Sequence, residues 1–169
     1  MKPQLGDTIL NRYTLVSSLR EEPGIQAWKA NDRVLAKDCQ LFIITNRSAF
    51  AAIDELAGRM AATRPDRVIP VLKYRMESDV LLIVMPVDSG QCLTDYMVDT
   101  AKPLSYSAIR SIIGECANVL REVIADTPSG IVITTDTVRV TTSGVQIADA
   151  PCATMLADTS ATDLRTDGP

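Results

Sequence analysis

The sequence predicts an α+β fold: a five-stranded antiparallel sheet with one helix inserted after its third strand, then a mainly helical part followed by a hairpin. Three observations predict it. Five stretches between Tyr13 and Val87 alternate in hydropathy or run continuously apolar, as strands do. One run among them, residues 48–65, repeats its apolar residues at helical spacing. The widest helical stripe in the chain, Ile109 to Ile124, comes later and precedes a β-branched alternating run.

Each element has a local reason. In "RYTLVSSL", Tyr13, Leu15 and Leu19 alternate with polar residues; "IQAWKAND" follows the turn "REEPG", so the two make a hairpin. "CQLFIIT", Cys39 to Thr45, is a third and more fully buried strand. In "SAFAAIDELAGRMAATRP", Phe50, Ile53, Leu56, Ala57 and Met60 share a helix face, Ser48 is placed to cap its start, and Pro65 stops it. "RVIPVLKYRME" and "DVLLIVMPV" are two further strands joined by the turn "ESD". Beyond the linker "DSGQ" lies a short helix, "LTDYMV". Ser105 then caps the longest helix, whose stripe of Ile109, Ile112, Ile113, Cys116, Leu120, Val123 and Ile124 is wide enough for a helical core, and "DTPSG" ends it. "GIVITTDTVRVTTSGVQIAD" reads as a hairpin turning at Ser143–Gly144, and the polar, Thr- and Asp-rich tail from Pro151 as loop.

With 169 residues, 46% hydrophobic and 22% charged, the chain is long enough for one sizeable core or two small lobes. A net charge of -4 with no Lys/Arg cluster removes the footprint that nucleic-acid binding requires. The longest apolar run, Val80 to Val87, is too short to cross a bilayer, and the N-terminus has no signal-peptide core, so the expectation is a soluble, cytoplasmic chain. Cys39, Cys92, Cys116 and Cys152 form no C-x-x-C pair and have no histidine to complete a zinc set, which makes them buried or incidental thiols with no metal. The absence of histidine also excludes Ser-His and Cys-His nucleophile chemistry within the chain.

The ordered set of elements resembles a eukaryotic-like Ser/Thr protein kinase of the bacterial type. "GDTILNRYTLVSSL" resembles that family's lead-in to its first strand, "MPVDSGQCLTDYM" its hinge and first C-lobe helix with Gly90 and Leu93, and "TVRVTTSGVQIADA" the hairpin carrying its metal-binding motif. The resemblance covers residues 6–165. It implies a bilobal fold: a kinase-like N-lobe over 1–88, a partial, truncated C-lobe over 89–150, and an activation-segment-like tail over 151–169. "SATDLRTDGP", with Asp163 at an acidic position, is similar to the start of the large C-lobe helix, at which the sequence stops.

Phosphoryl transfer is mostly positioning and charge neutralisation, so the matching positions can be checked one by one. At the three glycines of G-x-G-x-x-G stand Arg20, Glu22 and Ile25, with Gly24 off register. V-A-I-K aligns with Cys39-Gln40-Leu41-Phe42, placing an apolar ring at the lysine and removing a charge-assisted contact of about 1.5–3 kcal/mol. Glu55 matches the helix glutamate that pairs with that lysine. H-R-D becomes Gly130, Ile131 and Val132, with Thr137 at the metal-binding asparagine, or in a second register Ile133, Thr134 and Thr135. Both lack the base, although Asp136 is one residue beyond the second. D-F-G reads Asp149-Ala150-Pro151, leaving Asp149 as the retained carboxylate.

Within bacterial pseudokinases, "TVRVTTSGVQIADAPCATMLADTSATDLR" is most similar to the intracellular kinase-like domain of actinobacterial MviN-type flippases of peptidoglycan precursors. That resemblance implies a catalytically inactive scaffold without cofactor. An upstream Ser/Thr kinase would phosphorylate it on threonine, with Thr154, Thr159, Thr162 and Thr166 as candidate acceptors, and a forkhead-associated (FHA) domain protein would read the phosphate. The alternatives are a residual nucleotide binder or atypical kinase built on Asp149 and Asp136, and a structural dimerisation module.

Overall fold

The computed structural model describes residues 2–64, 66–77, 79–88, 90–98, 103–126 and 131–153, with the backbone alone for 123–126. Pro65, Gly130, Asp163 and the candidate acceptors Thr154, Thr159, Thr162 and Thr166 lie outside the described residues, as do Ser78 of the "ESD" turn and the side chains of Val123 and Ile124. The chain forms two compact units, residues 1–61 with 70–87 and residues 62–69 with 88–169.

The first unit is a six-stranded antiparallel sheet, where five strands are expected from the sequence, in the order β1-β2-β3-β4-β6-β5. The strands are β1 (Thr8–Ile9), β2 (Tyr13–Glu22), β3 (Ile25–Asp32), β4 (Lys37–Ile44), β5 (Lys73–Glu77) and β6 (Val80–Pro86). The extra strand β1 is only two residues long, too short to show alternation. It is held to β2 by a tight turn in which Arg12 N donates to Ile9 O and both central residues, Leu10 and Asn11, have positive φ.

Strand β2 also departs from simple alternation. Register shifts between Leu15 and Ser17 and between Ser18 and Arg20 leave Val16 and Leu19 as bulged residues, so Leu19, expected to face inward, is exposed. The strand runs on through Glu22, which pairs with Ile25; the turn is therefore Pro23–Gly24 alone and not the longer "REEPG". Proline presets the first turn position, and glycine supplies the positive φ, +77°, required at the second.

One face of the sheet builds a core from Tyr13, Leu15, Trp28, Ala30, Cys39, Leu41, Ile43, Leu82 and Val84. Residues paired directly across antiparallel strands point to the same face, so the row Ala27, Phe42, Ile83 and Tyr74 lies on the other face. Helix α1 (Phe50–Thr63) meets this row: a Cβ at Gly58 would stand 3.1 Å from the Tyr74 hydroxyl. The five residues expected on the buried side of α1, Phe50, Ile53, Leu56, Ala57 and Met60, are the ones buried. Its lead-in differs from expectation. Asn46, not Ser48, is the cap, its Oδ1 accepting from Ser48 N and Ser48 Oγ ahead of a 3-10 turn at Arg47–Ala49.

The second unit holds a three-stranded sheet of β7 (Gln91–Cys92), β8 (Val138–Thr141) and β9 (Gly144–Ile147), with helices α2 (Leu93–Val98) and α3 (Tyr106–Asp126). The stretch "RVIPV", expected to begin a single strand with "LKYRME", is divided: Arg67, Val68 and Ile69 belong here, with Ile147 N donating to Arg67 O and Ile69 N donating to Ile147 O, while Pro70 and Val71 belong to the first unit. Pro70 has no N–H to continue a ladder, and β5 starts only at Lys73. The hairpin β8–β9 is also shorter than expected. It turns through Thr142–Ser143, while residues 131–137 form a loop.

Ser105 caps α3 as expected, its Oγ accepting from Ala108 N at 3.1 Å. The apolar stripe of α3 does not form a helical core among the described residues. Ile109 and Ile113 are 42% and 63% exposed, and the residue that is buried is Val119. The reason is Glu115, one turn before Val119: its Oε2 accepts from Val145 N at 2.6 Å and from Arg67 Nη1 at 3.3 Å. These contacts rotate α3 so that a face roughly a quarter-turn from the isoleucine stripe meets β9. Pro151, Cys152 and Ala153, read as loop from composition, are buried as well, with Cys152 N donating to Asp149 O.

Candidate functional site

The residues that stand at the glycine-rich positions all sit on the β2–β3 hairpin. Arg20 pairs with Ala27 and is bonded to Glu22 at 3.3 Å, while Ile25 is buried opposite Ile44. The tip is pinned from behind, because Gly24 O accepts from Thr45 N and Asn46 N at the end of β4. An open groove of about 520 Å³ runs beside this tip, lined by residues that include Glu21, Glu22, Gly24, Ile25, Ile43 and Thr45. Glu21 pairs with Lys2, so the one lysine on the groove wall already faces a carboxylate. Glu22 is paired in turn with Arg20, so the charges of both glutamates on this wall are taken up in ion pairs.

Phe42 is 2% exposed, on the row with Ala27 and Ile83. Its neighbour on the same face, Gln40, is also buried. Glu55 sits on the exposed side of α1 and pairs with Arg59 four residues on, the favourable order for a helix ion pair. The glutamate is thus engaged within its own helix.

In the second unit, the loop 131–137 is organised by Thr137. Its hydroxyl donates to Val132 O at 2.9 Å, it accepts from Thr134 N at 2.9 Å, and the backbone N–H groups of Thr137 and Val138 both donate to Thr134 O. Thr137 is buried and its oxygen is taken up by its own loop. Asp136 is exposed and accepts from Thr94 Oγ1 of α2 at 2.6 Å. Asp149 closes β9 with φ +59°, the left-handed region that few non-glycine residues adopt.

Arg139 of β8 is a residue that the sequence did not single out. Its Nε donates to Asp88 Oδ2 at 3.0 Å, its Nη2 lies 3.7 Å from Asp149 Oδ2, and its Nη1 donates to Asp136 O. All three charged side chains are partly buried, at 15% exposure for Arg139, 18% for Asp88 and 12% for Asp149. The strand reaches this position because β7 approaches β8 closely at Gly90, where a Cβ would stand 2.7 Å from Arg139 Cβ. The only local signal is one arginine within the β-branched run "TVRVTT", where alternation gives it to solvent.

A phosphate-bound divalent cation needs several oxygen ligands, usually with open positions for water. Here Asp149 faces a guanidinium, the Thr137 oxygen is held by its loop, and no group of three or more His, Cys, Asp or Glu side chains gathers among the described residues. This donor set does not fit such an ion. The thiols are no substitute: burial pushes Cys39 up to about 11 and Cys152 higher still, so both stay protonated at neutral pH. No helix among the described residues is long and apolar enough to cross a membrane.

No protein-family model and no curated protein matches the chain. Solved structures do. The chain is similar to a point mutant of the Mycobacterium tuberculosis PknI kinase domain, with a TM-score of 0.74 and 16% identity over 89% of this chain and 63% of that one. It is similar to the apo form of PpkA-294, with a TM-score of 0.74 and 12% identity over 94% of this chain and 66% of that one. It is also similar to Rad53 1–466 in complex with AMP-PNP, with a TM-score of 0.70 and 15% identity over 82% of this chain and 38% of that one. The chain spans less than two thirds of the length of each of these structures. At such identities the likeness is one of fold, and the fold is α+β and protein kinase-like.

Proposed function

We propose that the chain is a catalytically inactive pseudokinase domain that acts as a protein–protein interaction scaffold. The observation that carries this reading is Phe42: a buried ring stands on the strand where the resemblance places the phosphate-binding lysine, and Glu55, the expected partner, is paired with Arg59 instead. The hairpin tip adds to it, with Glu22 and Ile25 where backbone amides would approach phosphates. Asp149, the retained carboxylate, is engaged by Arg139.

A thermal-shift titration with Mg·ATP tests the reading. A bound nucleotide at a hundred times its dissociation constant adds about 2.7 kcal/mol. The scaffold reading expects an unmoved melting temperature and no phosphate transfer to a generic substrate; a saturable upward shift, or transfer, overturns it.

The sequence resemblance supports a more specific role on the cytoplasmic side of a membrane, in the control of peptidoglycan-precursor export. In this role a Ser/Thr kinase phosphorylates one of Thr154, Thr159, Thr162 and Thr166, and an FHA-domain protein captures the phosphothreonine through charge-assisted hydrogen bonds. Incubation with an active bacterial Ser/Thr kinase and mapping of the product is expected to place phosphate on one of these four. Alanine at the mapped residue is expected to abolish FHA binding. Phosphate found only on residues 2–153, or FHA binding that ignores it, overturns this role.

A further inference from the structure

We propose that the tip of the β3–β4 hairpin, Arg33 to Lys37, is a membrane-docking element that places Val34 and Leu35 into an anionic lipid surface. The proposal goes beyond the scaffold reading and does not depend on it. Val34 and Leu35 are 71% and 60% exposed, side by side in a loop closed by the pairing of Asp32 with Lys37. Loop tips ordinarily carry Gly, Asn, Asp or Ser, which satisfy turn geometry and water. Two adjacent aliphatic residues are an unfavourable choice for a tip that only has to turn the chain.

The loop holds the pair outward. Asp32 Oδ1 accepts from Val34 N at 3.0 Å and Leu35 N at 3.3 Å, and the same carboxylate is clamped by the Arg12 guanidinium. Arg33 N donates to Arg12 O, and Ala36 turns the chain back with φ +52°.

Charge indicates what the pair meets. Arg33 and Lys37 flank it, are exposed and form no ion pair among the described residues, whereas Arg12 and Lys29 nearby are matched by Asp32 and Asp38. Two uncompensated cations therefore stand beside two exposed aliphatics, on a chain whose net charge is -4. An anionic bilayer matches both features, with negative headgroups at its surface and acyl chains beneath them. A protein partner fits less well, because a specific interface takes about 800 Å² from each side and a short hairpin tip offers a fraction of that. Two cations and two aliphatics make the contact weak and reversible.

The test uses the native fluorophore of the full chain. Trp28, the single tryptophan, lies four residues before Asp32 on β3, roughly 13 Å along the strand at 3.3 Å per residue. Energy transfer from Trp28 to dansyl-labelled lipid is followed with vesicles of phosphatidylcholine alone and of phosphatidylcholine with an equal part of phosphatidylglycerol. The wild type is expected to show saturable transfer with the mixed vesicles at low salt and none with phosphatidylcholine alone. It is expected to lose the transfer at about 1 M salt, where the Debye length is about 3 Å. R33Q/K37Q is expected to lower partitioning more than about tenfold, since each cation near the surface contributes about fivefold, or about 1 kcal/mol. V34S/L35S keeps both charges and is expected to lower partitioning as much. L19S removes an exposed aliphatic farther along β2 and is expected to change nothing.

The four tip side chains are exposed, so melting temperatures close to the wild type are expected and show that binding, not folding, is lost. The proposal is overturned if the wild type ignores the mixed vesicles, if partitioning survives V34S/L35S or R33Q/K37Q, or if L19S abolishes it as fully. Tip-dependent binding of an acidic protein with no uptake by vesicles assigns the tip to a protein partner and overturns it as well. Failure of the scaffold reading looks different, because it shows as Mg·ATP stabilisation whatever residues stand at 33–37.

Discussion

Phe42→Lys is expected to lower stability by more than about 3 kcal/mol, a fall in melting temperature of roughly 6–12 °C, and to create no affinity for Mg·ATP. The variant restores the residue that the kinase resemblance places on this strand, yet the surroundings are built for the ring. Phe42 is 2% exposed, with Ala27 and Ile83 directly across from it on the neighbouring strands. Losing a buried phenylalanine ring alone costs about 3–5 kcal/mol, and an ammonium group there adds a desolvation penalty. Glu55 cannot offset it, since it is on the exposed side of α1 and paired with Arg59. Urea denaturation measures the loss, with Phe42→Leu as the control expected to cost under about 1.5 kcal/mol. A lysine variant as stable as the wild type, or one that binds Mg·ATP, would mean that position 42 opens to solvent and that the ring merely fills a site able to work.

Asp32→Asn is the second large effect, expected at about 2–3 kcal/mol at neutral pH and accompanied by a flattened acid limb of the stability curve. Asp32 is buried at the end of β3. Its two oxygens accept from Arg12 Nε at 2.8 Å and Nη2 at 2.7 Å, and Oδ1 also accepts from the N–H groups of Val34 and Leu35. The guanidinium bond is the main reason that its carboxyl is held down to about 2. A carboxylate whose folded pKa is depressed stabilises the protein fully above its unfolded value. That stabilisation, about 2 kcal/mol here, is lost as pH falls from about 4 toward 2. Denaturant midpoints measured from pH 2 to 7 for both proteins should therefore converge at the acid end. Parallel curves would show that the Arg12 pair contributes nothing to the acid sensitivity of the fold.

What the sequence made legible was local. The buried face of α1, the bounds of "LTDYMV" and the Ser105 cap each depend on residues a turn or two apart, and periodicity and capping chemistry report such neighbours directly. The apolar character of β4 was equally plain, and with it the ring at position 42. What stayed hidden was long-range. The bulges that turn Val16 and Leu19 outward are set by pairing with β3, and the rotation of α3 is set by Glu115 reaching Val145, 30 residues away. Arg139 was missed for the same reason. Its bond to Asp88 spans 51 residues, and nothing in an alternating strand distinguishes an arginine facing water from one facing two carboxylates.

The pairing of residues 67–69 with Ile147 makes the second unit discontinuous along the chain. The backbone therefore passes from one unit to the other at three places, near residues 61, 69 and 87. Cleavage at any single peptide bond cannot yield two intact halves. A fragment ending at Val87 carries off Val68 and Ile69, both buried, and strips Ile147 of its partners on that side. Dissecting this protein for binding studies calls for excising 62–69 and grafting it to 88–169, rather than dividing the gene once at the apparent boundary.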